Sequence, residues 1–295
     1  MGFSSKPRLL IVQELLRGQS VDKQLYIERW RPTPMQIFKV ALDIAQGMHY
    51  LHTHFDKPII HRDLKTGNLL LVAPPVGDAD EGLQCKITDF GLSRDKNVTR
   101  EAQQLAQQTE QMTGCGSVLW MGECRRRFAS NASSGSDPAL LLPTAPEILL
   151  GETYNEQVDV FSYAMCLVEL IDCDLPWHGW RFAAEVPFKV IQGERPAGQL
   201  TKADKPAKGS EQEKEQMANF AALVKELWEQ KPDKRPSFLD AAQRVDDMYM
   251  AVGGRRSSDR RRSERPGEEA HVRSPLFTVV EGSSRAASPE RSGRG

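Results

Sequence analysis

His61-Arg62-Asp63-Leu64-Lys65-Thr66-Gly67-Asn68, followed downstream by Asp89-Phe90-Gly91, decides how this chain reads. From Ile59 to Val72 the pattern is loop and short strand, Ala73 to Gly82 is a Pro/Gly/Asp turn, and Cys85 to Thr88 reads as a second short strand. Two strands thus flank a turn, with the charged residues just before and just after them. Upstream, Met35, Phe38, Leu42, Ala45, Met48 and Leu51 recur at three- and four-residue steps. With Thr33 as cap and Pro34 in the first turn, this predicts an amphipathic helix over residues 33–53. Further upstream, Leu9-Leu10-Ile11-Val12 reads as a buried strand that ends before Gly18. Downstream, residues 156–171 are apolar on every side, the pattern of a helix buried all round. Residues 213–230 and 236–250 give two more amphipathic helices, separated by Lys231-Pro232-Asp233-Lys234-Arg235-Pro236, whose prolines cannot continue a helix.

The 295 residues are 39% hydrophobic and 27% charged, an ordinary globular balance that allows a sizeable core. No apolar run approaches the roughly 20 residues of a membrane helix, and the N-terminus lacks the build of a cleaved signal. A cytoplasmic location is expected, with the nucleus open, and no membrane partner. Met1-Gly2-Phe3-Ser4-Ser5-Lys6 approaches an acylation signal, but Lys6 stands where Ser or Thr is needed. The five cysteines, Cys85, Cys115, Cys124, Cys166 and Cys173, form no C-x-x-C pair and read as reduced thiols. Net charge is -1, yet residues 253–295 carry ten Arg against six Asp or Glu. That tail is poor in hydrophobes and rich in Arg, Ser, Gly and Pro, so it is expected to be disordered.

Alone, Asp-Phe-Gly reads as a turn and His-Arg-Asp as a salt-bridged surface run. Together, in this order and with a strand pair between them, they resemble the catalytic loop and metal-binding motif of eukaryotic protein kinases. Ala145-Pro146-Glu147, Asp159-Val160-Phe161-Ser162-Tyr163, Pro176-Trp177 and Lys234-Arg235-Pro236-Ser237 extend the likeness. The resemblance implies an α+β protein-kinase-like fold: a mostly helical C-lobe with a short β-hairpin, and an N-lobe reduced to a strand remnant. It implies Asp63 as the base toward the attacking hydroxyl, Lys65 as a cation beside the transferring phosphate, Asn68 and Asp89 as magnesium ligands, and Leu70 under the adenine. The cofactors implied are ATP and Mg2+, and the partners are proteins phosphorylated on Ser or Thr. Glu147 and Arg235 are implied to meet as a buried ion pair. Lys65, with Gly116-Ser117, is similar to the Ser/Thr-specific pattern, and Trp120-Met121 resembles the tyrosine-kinase-like group of Ser/Thr kinases.

The chain also departs from the family. If Leu9 to Val12 is the last N-lobe strand, Gln13 takes the gatekeeper place, Glu14 to Leu16 the hinge, and eight residues precede it, too few for a glycine-rich loop and its lysine. A kinase domain is expected over residues 1–252, with 1–17 as N-lobe strand and hinge remnant and 18–252 as C-lobe, followed by the tail 253–295. Residues 122–144, from Gly122-Glu123-Cys124 to Thr144, intervene where the family runs directly into Ala-Pro-Glu. Two origins stay open: a retained intron of about 69 nucleotides, whose ends reverse-translate to splice-like signals, or a genuine insertion. Ala73 to Gly82 and Thr201 to Gln216 read as surface loops.

Upstream kinases are candidate partners. Thr109, Thr113 and Ser117 lie in the activation segment with Arg62 as the partner for a phosphate, and the tail offers Arg255-Arg256-Ser257-Ser258, Arg273-Ser274-Pro275 and Ser288-Pro289. No nucleic acid is expected, because only Phe277 interleaves the tail's charges. The function implied is transfer of the γ-phosphate of ATP to Ser/Thr hydroxyls. For these 295 residues alone, negligible transfer is expected; the alternative is a non-catalytic, pseudokinase-like interaction or scaffold module.

Overall fold

The computed structural model describes residues 2–4, 10–90, 94–95, 144–177, 185–196 and 210–255. In chain order the elements are β1 (Gly2–Ser4), β2 (Leu10–Val12), α1 (Val21–Tyr26), α2 (Pro34–Thr53), β3 (Ile59–Ile60), β4 (Leu69–Leu71), β5 (Cys85–Ile87), β6 (Arg94–Asp95), α3 (Pro146–Leu149), α4 (Gln157–Asp172), α5 (Val186–Ile191), α6 (Glu211–Leu227) and α7 (Phe238–Ala251). Short 3-10 turns lie at Thr66–Asn68 and Pro232–Lys234. The strands form three separate antiparallel pairs, β1 with β2, β3 with β6 and β4 with β5. Among the described residues helix dominates, and no helix is long and apolar enough to cross a membrane.

Helix α2 starts where its sequence dictates. Thr33 Oγ1 accepts from the Gln36 amide while the Gln36 side chain accepts from the Thr33 amide, and Pro34 opens the first turn. Its apolar stripe packs chiefly against α7, with β5, α4 and β3 completing the enclosure. Phe38 meets the Phe220 ring edge-on at 5.2 Å, and Tyr163 donates from its hydroxyl to the Ala41 carbonyl at 2.8 Å. Helix α4 is the hub: from Val158 to Leu170 its residues are buried on every face. Each large side chain enclosed here contributes about 1.5–3 kcal/mol from burial, so this helix anchors whatever hangs from it.

Several sequence expectations need correcting. The strand read over Leu9–Val12 runs from Leu10 to Val12, and Gly2–Ser4, not read as a strand from the sequence, pairs with it in register Gly2 to Val12. Helix α6 begins at Glu211, two residues earlier than the apolar pattern shows, because Ser210 and Glu213 form a capping box. The Thr201 to Gln216 stretch is therefore helical from Glu211 onward. The same helix stops at Leu227 instead of residue 230, ahead of Pro232. Helices α1, α3 and α5 are too short to register as a period. The Ala73 to Gly82 turn lies at the surface but is pinned: Gln36 Nε2 donates to the carbonyls of Gly77 and Ala79 at 2.9 and 2.8 Å, and the Tyr249 hydroxyl bonds Asp80.

Candidate active site

The chain from β3 to the start of β4 is bent around one buried carboxylate. Asp159, fully buried on α4, accepts from the His61 amide at 2.8 Å, the Arg62 amide at 2.9 Å and His52 Nε2 at 2.9 Å. These bonds hold Arg62 in the left-handed region, at φ 64°, where a side chain of this size rarely sits. Asp89 has φ 64° as well. At Arg62 the strain is held by the buried Asp159 carboxylate, which binds its amide and that of His61.

His61 ties the two halves together. Its Nε2 lies 3.0 Å from the Thr88 carbonyl, and the Asp63 amide donates to its Nδ1 at 3.3 Å. A carbonyl can only accept, so this pairing selects the tautomer with the proton on Nε2. The Thr88 amide donates to the Asn68 carbonyl at 3.0 Å, and the His61 ring lies 5.1 Å from that of half-buried Phe90. Asp89 follows directly, with its side chain exposed.

Two of the sequence-predicted residues, Lys65 and Asn68, converge on Asp63. Lys65 Nζ donates to Asp63 Oδ2 at 2.8 Å, and Asn68 Nδ2 donates to the same oxygen at 3.0 Å and to the Asp63 carbonyl at 2.8 Å. Among the described residues Asp63 Oδ1 and Asn68 Oδ1 accept no hydrogen bond. Both are oxygens held in place by their neighbours, one for a proton donor and one suited to a hard cation. No cluster of three or more acidic, His or Cys ligands occurs among the described residues. A cation here would take Asn68 and Asp89 from the protein and complete its shell with phosphate oxygens and water, the manner in which Mg2+ is usually held.

Leu70 lies on the other face of the hairpin from buried Leu69 and Leu71, as strand alternation requires, and pairs across from Lys86. Residues 17–20 run along the far edge of β4, the Gly18 amide donating to the Leu71 carbonyl at 3.1 Å and the Leu71 amide to the Gln19 carbonyl at 2.8 Å. A Cβ on Gly18 would come within 2.4 Å of the Leu71 carbonyl oxygen, so only glycine lets the chain approach this closely. Lys86 pairs with Glu14 at 2.5 Å, which ties the segment after β2 to the same outer face.

Glu147 and Arg235 meet as expected, through two bonds of 2.7 and 2.8 Å, with side chains 3% and 0% exposed. Arg62 Nη1 lies 3.3 Å from the Tyr154 hydroxyl. Gly91, Thr109, Thr113, Gly116-Ser117, Trp120-Met121, residues 122–143 and the tail beyond Arg255 lie outside the described residues. The sequence reading named Asp159 and Thr66 without a role for either, and missed Tyr26 and Glu169. The available signal for Glu169 was an acid inside a helix whose neighbours are apolar all round.

The model of the protein tyrosine and serine/threonine kinase family matches residues 1–137 and 130–245, two stretches that overlap inside the Gly122 to Thr144 segment. Mitogen-activated protein kinase kinase kinase 11 of Homo sapiens is 30% identical over 247 residues, covering 84% of this chain and 23% of that protein, and the Rattus norvegicus protein of that name gives the same figures. Dual specificity protein kinase splA of Dictyostelium discoideum is 30% identical over 245 residues, covering 81% of this chain and 8% of that protein. The chain therefore spans less than a quarter of the length of these relatives. With the catalytic loop, the hairpin and the Glu147–Arg235 pair assembled around α4, the chain belongs to the protein tyrosine and serine/threonine kinase family.

Proposed function

We propose that this chain supplies the catalytic floor of a protein Ser/Thr kinase, with Asp63, Lys65, Asn68 and Asp89 acting on magnesium-ATP. The observation that carries the reading is the state of Asp63: one carboxylate oxygen is fixed by Lys65 and Asn68, while the other is left for a hydroxyl. Asp63 orients the attacking Ser or Thr hydroxyl and takes its proton at Oδ1. Lys65, two residues on and about one-third exposed, holds its ammonium where negative charge gathers. Asn68 Oδ1 and the Asp89 carboxylate hold the cation, and Leu70 supports the base from the outer face of the hairpin. Magnesium-ATP supplies the phosphoryl group and the charge that organises its oxygens. Ser/Thr preference rests on Lys65, and membership of the tyrosine-kinase-like group on Trp120-Met121. The substrates are proteins in the cytoplasm or nucleus, and the activation segment and tail are sites for upstream kinases.

Phosphoryl transfer is mostly positioning and electrostatics. In this reading Asp63 takes the proton of the attacking hydroxyl, so transfer of phosphate to Ser or Thr should depend on it. Incubation with radiolabelled ATP, Mg2+ and a Ser/Thr peptide library tests this. Label above background that disappears with Asp63→Asn would support the role of Asp63. Label that survives Asp63→Asn would refute the assignment itself.

A further inference from the structure

Glu169 lies on α4 at 5% exposure, the one carboxylate in a run of apolar side chains between Ser162 and Leu170. Burying it costs far more than burying a leucine of similar size, unless the carboxylate holds something in place. Its Oε2 accepts two short bonds, from Thr66 Oγ1 at 2.6 Å and from the Tyr26 hydroxyl at 2.6 Å. Thr66 is itself 3% exposed and begins the 3-10 turn that places Asn68, with the Asn68 amide closing on the Lys65 carbonyl at 2.9 Å. Tyr26 is the last residue of α1. The same helix brings Asp22 over that turn: a Cβ on Gly67 would stand 3.4 Å from Asp22 Oδ2. One buried oxygen on the hub helix thus meets both the catalytic loop and the helix that packs on it.

We infer that Glu169 is a positioning residue for the proposed phosphotransfer site: it fixes the Thr66–Asn68 turn, and with it Lys65 and Asn68, and couples that turn to α1 through Tyr26. The inference rests on the functional reading above, since only that reading gives Lys65 and Asn68 a chemical task. Burial lifts the Glu169 carboxyl to about 7, against the opposing pull of the two hydroxyl bonds. The charged and titratable groups acting on Glu169 and its tyrosine partner are Asp22 and Tyr26 from α1, Cys166 from its own helix and Asp174 beyond the end of that helix.

Hydrogen-exchange mass spectrometry on the full chain tests the inference without requiring activity. Glu169→Leu is expected to speed exchange in peptides spanning residues 61–72 and 18–30 by about tenfold, while peptides from residues 213–227 stay near the wild-type rate. Glu169→Gln, which keeps an acceptor oxygen, is expected to restore slow exchange. Thr66→Val is expected to free residues 61–72 alone, and to add nothing in the Glu169→Leu background. If Glu169→Leu does not fold, Thr66→Val and Tyr26→Phe carry the test with the same peptides. Equal acceleration throughout the chain, or unchanged exchange over residues 61–72, overturns the inference. A magnesium-ATP thermal-shift measurement on the wild type separates the two readings: no shift with the exchange pattern intact removes the proposed magnesium-ATP site, and a shift without the pattern removes only the role of Glu169.

Discussion

Substituting either member of the Glu147–Arg235 pair should unfold the chain more than it alters chemistry, and the structure sets the magnitude. Arg235 is fully buried, and besides its two bonds to Glu147 it donates to the carbonyls of Glu229 and Gln157, each at 2.8 Å. Glu147→Leu leaves the guanidinium with those carbonyls but beside Arg195. Arg195 and Arg235 stand 5.0 and 5.2 Å from the Phe161 ring, and burial together with Arg235 pulls the pKa of Arg195 down to about 10. Arg235→Leu leaves Glu147 as a buried carboxylate with no donor for its oxygens among the described residues. Removing one partner of such a pair costs about 3–5 kcal/mol, with Glu147→Leu nearer the lower figure and Arg235→Leu nearer the upper. At an m-value of roughly 2.5 kcal/mol/M, a loss of about 4 kcal/mol moves the urea midpoint down by about 1.6 M. The double variant, apolar against apolar, should be less destabilised than either single one. Urea denaturation followed by far-ultraviolet circular dichroism measures all of this. Single variants that shift the midpoint by less than about 0.3 M, or a double variant that loses the sum of the singles, would refute the reasoning.

Two further predictions follow from buried or capping groups. The Glu169 carboxyl rises from 4.5 to about 7 on folding, so between those pH values the folded chain holds a proton that the unfolded chain has released. Its contribution to stability is therefore full below pH 4.5, falls by about 3 kcal/mol as pH rises from there to 7, and levels off above that. The stability difference between wild type and Glu169→Gln should change by that amount between pH 5 and 8, and a difference independent of pH counts against the buried acid. Thr33→Ala removes the cap of α2 and its bond to the Asp78 carbonyl, and should cost about 1 kcal/mol without changing the urea m-value. A thermal melt or urea curve that matches wild type would show that the cap is redundant.

The stretch from His61 to Asn68 with Asp89 stood out in the sequence because its order and spacing resemble the kinase catalytic loop, and the proposed roles of Asp63, Lys65, Asn68 and Asp89 come from that resemblance. The long helices were legible for a different reason. Residues 33–53 and 156–171 repeat their pattern over enough turns for the apolar face, or its absence, to stand out. Ends set by local hydrogen bonds were not readable from hydrophobicity, so the Ser210–Glu213 capping box moved the start of α6 and Trp228 closed it early. The pairing of Gly2–Ser4 with Leu10–Val12 was missed because a three-residue strand carries almost no period. Asp159 and Glu169 were missed as working parts because their importance comes from partners distant in sequence: Asp159 holds His61 and Arg62, and Glu169 holds Tyr26 and Thr66. A buried acid on an apolar helix is visible in one dimension, but what it grips is visible only in three.

The central claim is that Asn68 and Asp89 form a cation-dependent phosphate floor beside Asp63. Calorimetric titration of the 295-residue chain with ATP, in Mg2+ and then in EDTA, tests it most directly. Binding is expected to be weak, in roughly the millimolar range, to require Mg2+, to be lost in Asn68→Ala and in Asp89→Asn, and to survive Asp63→Asn. Binding of the same strength in EDTA, or binding unchanged when both Asn68 and Asp89 are replaced, would contradict it.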